Sequence, residues 1–238
     1  MSEAYKLSDV QQGLYESTRI VDNSVYQIVC KVSFDGNVSP SILLGAAVRL
    51  VSENRLLRMA VRETEDAVVQ EEANEASSLC SYRDFQNEEE ADGFAKAIQA
   101  DGTDISRELC RIYVYNTKNG TYGIIYKMSH LVTDGWSIML MTDAFRRYLN
   151  GDEVRMYDYI AEAACGFDPE KSAKDIAYWK EQYRGRESAY LNVHHLPCTD
   201  QRVYTGRSMQ KGWRSSEPSV KSTALAFLRC SLLPMESS

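Results

Sequence analysis

Residues 128–140, MSHLVTDGWSIML, set His130 four residues ahead of an Asp134–Gly135 pair. The chain has three histidines. A histidine at the end of a strand can project into a cleft, where a neutral imidazole can act as general base toward an amine or hydroxyl and typically contributes about 10²–10⁴-fold. Asp134, on the turn that follows, can point the other way and hold the loop. Gly135 lets the backbone turn tightly or lie close to a ligand. A helix starting there offers free N–H groups and the positive end of its dipole, which suit a developing oxyanion. This combination points to acyl transfer. The plainer reading makes Asp134 an N-cap and His130 an ordinary strand-end residue. HxxxDG fixes only three of six positions, so alone it does not separate the two.

The flanking sequence predicts the elements that place these residues. CRIYVYN and TYGIIYKMS are β-rich runs separated by TKNG, and Asn119–Gly120 is a strong hairpin signal because both residues tolerate positive φ. The expected strands are 109–115 and 121–128, the second leading directly to His130. Beyond Gly135, Ile138, Met141, Phe145 and Tyr148 or Leu149 share one face of an expected helix, which Asn150–Gly151 ends. The motif therefore spans a strand, a turn and a helix N-terminus.

Elsewhere, Ser8 reads as an N-cap before Val10, Gln11, Leu14 and Tyr15 at helical spacing. A strand is expected over 25–34, and Ser39–Pro40 opens an amphipathic helix. LLRMAVRE reads as a strand, another is expected near AVVQEE, and 88–100 reads as an acid-led helix. Residues 171–185 read as a helix ending at Gly185. The following segment reads as a linker with a short strand, and Lys221–Leu233 is the one candidate helix of the tail. His194 and His195 read as loop residues. Trp136 and Trp179, both on amphipathic helices, read as core anchors.

Hydrophobic residues make up 44% of the 238 and charged residues 26%, the composition of an ordinary globular protein large enough for a substantial core. Net charge is −7 with no basic block, which argues against a nucleic-acid or anionic-membrane surface. The start is polar and lacks the apolar core of a signal peptide, and the longest apolar runs are too short to cross a bilayer. Six scattered cysteines without a CxxC pair give neither a zinc pattern nor a disulfide framework. Reduced cysteines and a cytoplasmic location are the expectation, with no metal.

SHLVTDGWS resembles the HHxxxDGWS signature of nonribosomal peptide synthetase condensation domains. Other segments match that family in order. LSDVQQGLY is similar to SxAQxxLW through Ser8, Gln11 and Leu14, with Tyr15 for Trp. ENRLLRMAV is similar to RHExLRTxF through Leu57 and Arg58, with Asn54 in place of its histidine. MYDYIAEA resembles YxDYAxW through Asp158 and Tyr159, and AYWKEQYRG followed by LPCTD resembles YWxxxLxG and LPTD. The match covers about residues 5–212. Ser129 stands where the first signature histidine usually is, and the family's IGxFVNT-like and RDxSRNP-like segments do not occur.

The resemblance implies an α/β fold: a chloramphenicol-acetyltransferase-like lobe with a mixed β-sheet flanked by helices. Residues 1–185 would be the N-terminal lobe, and 186–238 a linker and the start of an incomplete second lobe. The implied activity is amide or peptide bond formation between thioesters held on carrier-protein phosphopantetheine, in a tunnel between two lobes. His130 would be the base or the group that positions the amine. Asp134 would pair with an arginine, Arg58 being the candidate, and Gly135 would keep the backbone near the thioester. Ser129, Trp136 and Ser137 complete the motif as support. No cofactor is implied beyond the phosphopantetheine that carries the substrates. The implied partners are peptidyl or acyl carrier proteins and, for a chain of this length, a complementing second lobe. Two other readings stay open: a chloramphenicol-acetyltransferase-like trimer, whose motif lies nearer its C-terminus, and a non-catalytic lobe that binds carriers or other partners.

Overall fold

The computed structural model describes residues 3–20, 25–160, 169–185, 204–207 and 223–228. Its elements are β1 (Ala4–Lys6), α1 (Asp9–Thr18), β2 (Gln27–Asp35), α2 (Pro40–Ser52), β3 (Met59–Glu63), β4 (Val68–Glu72), β5 (Cys80–Phe85), α3 (Glu88–Ala100), β6 (Cys110–Thr117), β7 (Thr121–Ser129), α4 (Gly135–Leu149), α5 (Pro169–Gln182), β8 (Tyr204–Arg207) and β9 (Thr223–Leu228). Short 3-10 turns cover Arg55–Arg58 and Ala76–Leu79.

The strands form two sheets. The larger runs β5-β6-β7-β2-β9-β8 and the smaller β1-β4-β3. β5 and β6 are parallel and all other pairs antiparallel, so the large sheet is mixed, as expected. The hairpin forms as predicted, with Gly120 at φ 81 and Tyr113 opposite Ile125.

Strand alternation sorts the core into two layers. Ile28, Cys30, Val32 and Phe34 of β2 face Leu43 and Leu50 of α2 and Ile138, Met141 and Phe145 of α4. On the other face Val29, Tyr113, Tyr115 and Ile125 pack under Ala91 and Ala95 of α3. A third cluster joins Tyr15 of α1, Met59 and Val61 of the small sheet, and Leu131 of the motif turn.

The caps explain where the helices begin. Ser8 and Gln11 form a reciprocal capping box on α1. Ser39 caps α2, with Pro40 in its first turn. Asn87 caps α3, whose first turn carries Glu88, Glu89 and Glu90 at the positive end of the dipole.

Several expectations need correction. Arg55–Arg58 is a 3-10 turn, so the predicted strand begins only at Met59. The helix expected over Lys221–Leu233 is the strand Thr223–Leu228, which pairs with β2 from Ser33 to Ile28. A short apolar run such as TALAFL suits either element. The hydrogen-bonding edge of β2 decides it. β1 and β5 were not anticipated, since neither AYK nor CSYRDF shows sustained alternation. Trp136 and Trp179 are exposed rather than core anchors, at 66% and 55%. His194, His195 and the LPCTD segment lie outside the described residues. Among the described residues no helix is long and apolar enough to cross a membrane.

Candidate active site

β7 pairs with β2 in register as far as Ser129 opposite Gln27. The strand then stops, and the backbone N–H of His130 donates to the Tyr26 carbonyl at 2.8 Å. Ser129 is buried and organises the turn. Its hydroxyl accepts the Leu131 N–H at 3.3 Å, and its carbonyl accepts the Val132 N–H at 3.2 Å and the Thr133 hydroxyl at 3.1 Å. From outside the turn, Gln11 Nε2 of α1 donates to the Leu131 carbonyl at 3.1 Å. Gln11 and Gln70 of β4 exchange reciprocal amide bonds at 3.2 Å. Gln70 carries no signal in the sequence: it is one polar residue in VVQEE, and only its inward register on β4 reveals it.

Asp134 is the N-cap of α4. Its Oδ1 accepts the Ser137 backbone N–H and the Ser137 hydroxyl, both at 2.7 Å. These bonds, the hydroxyl first, hold the Asp134 carboxyl below the usual aspartate range, with a smaller contribution from nearby His130. Two expectations change. The helix N-terminus is occupied by a carboxylate of its own chain, so it is not an open cradle for an oxyanion. Asp134 is also not the partner of Arg58. Arg58 binds Glu72 through Nε at 2.8 Å and a second nitrogen at 2.6 Å. It also donates to the Val51 carbonyl at 2.9 Å and to the Ser52 carbonyl. It ties the end of α2 to β4, because those carbonyls are exposed by the end of α2 four or more residues upstream.

Gly135 opens α4 without positive φ, and a Cβ there would meet nothing within 4 Å. The tight turn expected of it is therefore not what the backbone requires. What glycine leaves is open space above the helix start.

His130 is partly exposed, and among the described residues its imidazole makes no hydrogen bond. No carboxylate fixes its tautomer from within this part of the chain. Beside it, α4 presents Trp136, Met139 and Leu140 outward, 66%, 46% and 56% exposed. Ser129, His130, Asp134, Gly135 and Ser137 lie on one strand–turn–helix segment, whereas Arg58 pairs with Glu72 and Trp136 is exposed.

A separate cavity of about 310 Å³ lies on the α3 side, lined in part by Asp101, Arg107, Arg111, Tyr113 and Lys127. Each cation has its own acid: Lys127–Asp101 at 3.7 Å, Arg107–Asp104 at 3.4 Å, and Arg111–Glu108. The charges cancel, and neither His130 nor Asp134 reaches it.

The family model described as "Condensation domain" matches residues 1–217. Bacitracin synthase 1 of Bacillus licheniformis is 23% identical over 209 residues, which is 79% of this chain and 4% of that protein. Among solved structures, the starter condensation domain of rhizomide synthetase RzmA superposes with TM-score 0.68 at 16% identity, over 87% of this chain and 53% of that one. The tallysomycin biosynthesis protein TlmII gives 0.67 at 17% identity, over 76% and 47%. These likenesses bear out the expected lobe with its mixed sheet and flanking helices. The chain spans about half the length of these solved chains.

Proposed function

The chain belongs to the condensation-domain family, and from that premise we propose that it is the motif-bearing half of an acyltransferase that joins carrier-protein-bound substrates through an amide bond. In this reaction the amine on one phosphopantetheine arm attacks the thioester carbonyl on another. A C–N bond forms, the C–S bond breaks, and the freed thiol leaves with the proton taken from the nitrogen. His130 is the base for that proton, or the group that positions the amine. Asp134 holds the turn as a helix cap, and the open space at Gly135 admits the pantetheine-bound thioester.

The observation that carries this reading is the placement of His130. It ends a fully paired strand, its backbone is fixed by the Tyr26 carbonyl, and among the described residues its imidazole makes no hydrogen bond.

An acyl-transfer site needs walls on both sides of the thioester, and this chain supplies one. The lone chain is therefore inactive, and a second half provided in cis or in trans restores activity. The test is peptide formation from loaded carrier proteins, followed by mass spectrometry with and without that half. Product only in the complemented reaction, lost on His130→Ala, supports the proposal. Turnover by the lone chain that depends on His130 would overturn it and favour a self-assembled acyltransferase.

A further inference from the structure

We propose that Gln11 is a positioning residue for His130, acting through the carbonyl of Leu131, and that the Gln11–Gln70 amide pair mounts the motif turn on the small sheet. The inference rests on the role given to His130 above, but its geometry stands apart from that role.

Gln11 is 4% exposed and Gln70 2%, so the pair is shielded from water. An amide has two N–H donors and two acceptor sites, and all four of Gln11's are used. Nε2 donates to the Leu131 carbonyl at 3.1 Å and to Gln70 Oε1 at 3.2 Å. Oε1 accepts the Ser8 N–H at 3.0 Å and Gln70 Nε2 at 3.2 Å. Gln70 Nε2 also donates to the Lys6 carbonyl at 3.5 Å. Rotating the Gln11 amide by half a turn would set oxygen against the Leu131 carbonyl and leave Ser8 facing a donor. The orientation is therefore locked, and in a low-dielectric site such bonds are strong.

The consequence falls on the residue between two anchors. The His130 N–H is tied to Tyr26 on one side, and the Leu131 carbonyl is gripped by Gln11 on the other. The peptide between His130 and Leu131 is held by the Ser129 hydroxyl at the Leu131 N–H, and Gln11 holds the peptide after it, so the segment His130–Leu131 is anchored at both ends, which restricts the direction of the His130 Cα–Cβ bond and the space its ring can sweep. The other bonds of the turn run from Ser129, inside the turn itself. Among the described residues, Gln11 is the side chain of another element that holds it. This joins α1 and the small sheet to the reacting group.

The experiment compares Gln11→Met, Gln70→Met and the double variant in the full chain. Gln11→Met strands a buried Gln70 amide and destabilises the fold. The double variant removes the stranded amide but still leaves the Leu131 carbonyl and the Ser8 N–H without their partner, so its melt is expected above that of Gln11→Met and below that of the natural chain. Its His130 ring resonances, assigned by their loss in His130→Gln, are expected to shift and broaden while those of His194 and His195 stay. With the complementing half added, kcat is expected to fall about 10–100-fold at unchanged KM, as for a reacting group displaced by an ångström. Gln70→Met keeps the Leu131 bond and should leave the His130 resonances nearly in place. If the double variant keeps natural His130 resonances, or if Gln70→Met disturbs them as much as Gln11→Met does, the proposal is overturned. If the resonances move but His130→Ala leaves the complemented activity intact, the link stands and the catalytic role of His130 falls.

Discussion

The carboxylate of Asp134 accepts two hydrogen bonds from a single residue, the backbone N–H and the hydroxyl of Ser137, each at 2.7 Å. This makes the aspartate of the motif a helix cap, and it sets the size of the effect that its removal will have.

Asp134→Ala should cost about 1 kcal/mol, the usual loss for an N-cap, and Asp134→Ser or Asp134→Asn much less. Arg58→Ala should cost about 1–3 kcal/mol, because it leaves Glu72 and two carbonyls without their donor. The two losses should add, since the residues share no partner. The pH dependence follows from the lowered Asp134 carboxyl. The folded state binds that proton less readily than the unfolded chain, so the contribution is complete above the ordinary aspartate value. It disappears as pH falls from there through the lowered one. Solvent exposure keeps this acid limb shallow. Denaturant melts of the single and double variants at neutral and acid pH measure all of this, and a coupling above about 1 kcal/mol between Asp134 and Arg58 would restore the ion pair.

Lys31 lies under α3 with its side chain 0% exposed, 2.5 Å from Glu88 and in contact with Asp92, whose side chains keep 34% and 30% of their exposure. Burial pushes the Glu88 carboxyl up, but hydrogen bonds from Lys31, Thr121 and Ser33 outweigh it and hold the group below its usual range. The burial is unequal, so the variants should be too. Lys31→Met frees two acids that can turn toward water. Glu88→Gln with Asp92→Asn leaves an ammonium buried without a counter-charge, and should cost about 3–5 kcal/mol. Urea melts should rank the acid pair well below Lys31→Met, and the reverse order would mean that the lysine reaches solvent.

The parts of the fold that sequence made legible are those governed by local chemistry. Asn119–Gly120 specifies its hairpin through positive φ, Ser39–Pro40 its helix start, and the Ile138, Met141 and Phe145 spacing the inner face of α4. At the site, the strand end, the turn and the helix start were all readable for the same reason. What was not legible depends on residues far apart in the chain. Arg58 is 14 residues from its acid and 76 from Asp134, and no spacing rule chooses between them. Gln70 meets Gln11 59 residues away. Thr223–Leu228 becomes a strand because β2 has a free edge, a fact of the sheet and not of the segment. Trp136 misled for a related reason: an aromatic on an amphipathic helix suggests core, but it stands on the outer face, away from the Ile138–Met141–Phe145 stripe.

That outer face yields the last prediction. Trp136, Met139 and Leu140 sit at i, i+3 and i+4 on α4 and form one exposed apolar patch immediately after the Asp134 cap. A surface of this kind marks an interaction site more often than a solvated face, and under the function proposed above it is the face that a second half would meet. Trp136→Ser and Leu140→Glu remove no packing from the core, so each should change the stability of the lone chain by no more than about 0.5 kcal/mol, and solubility should rise. Binding to a separately produced second half should behave oppositely. Loss of a central tryptophan typically costs 2 kcal/mol or more at an interface, so Kd should rise about thirtyfold for Trp136→Ser. Isothermal titration with the second half measures this, with Val10→Ser on α1 as an equally exposed apolar control. Equal small effects at Trp136 and Val10 would mean that the α4 face meets water in the assembled protein, and that the wall opposite His130 is held from elsewhere.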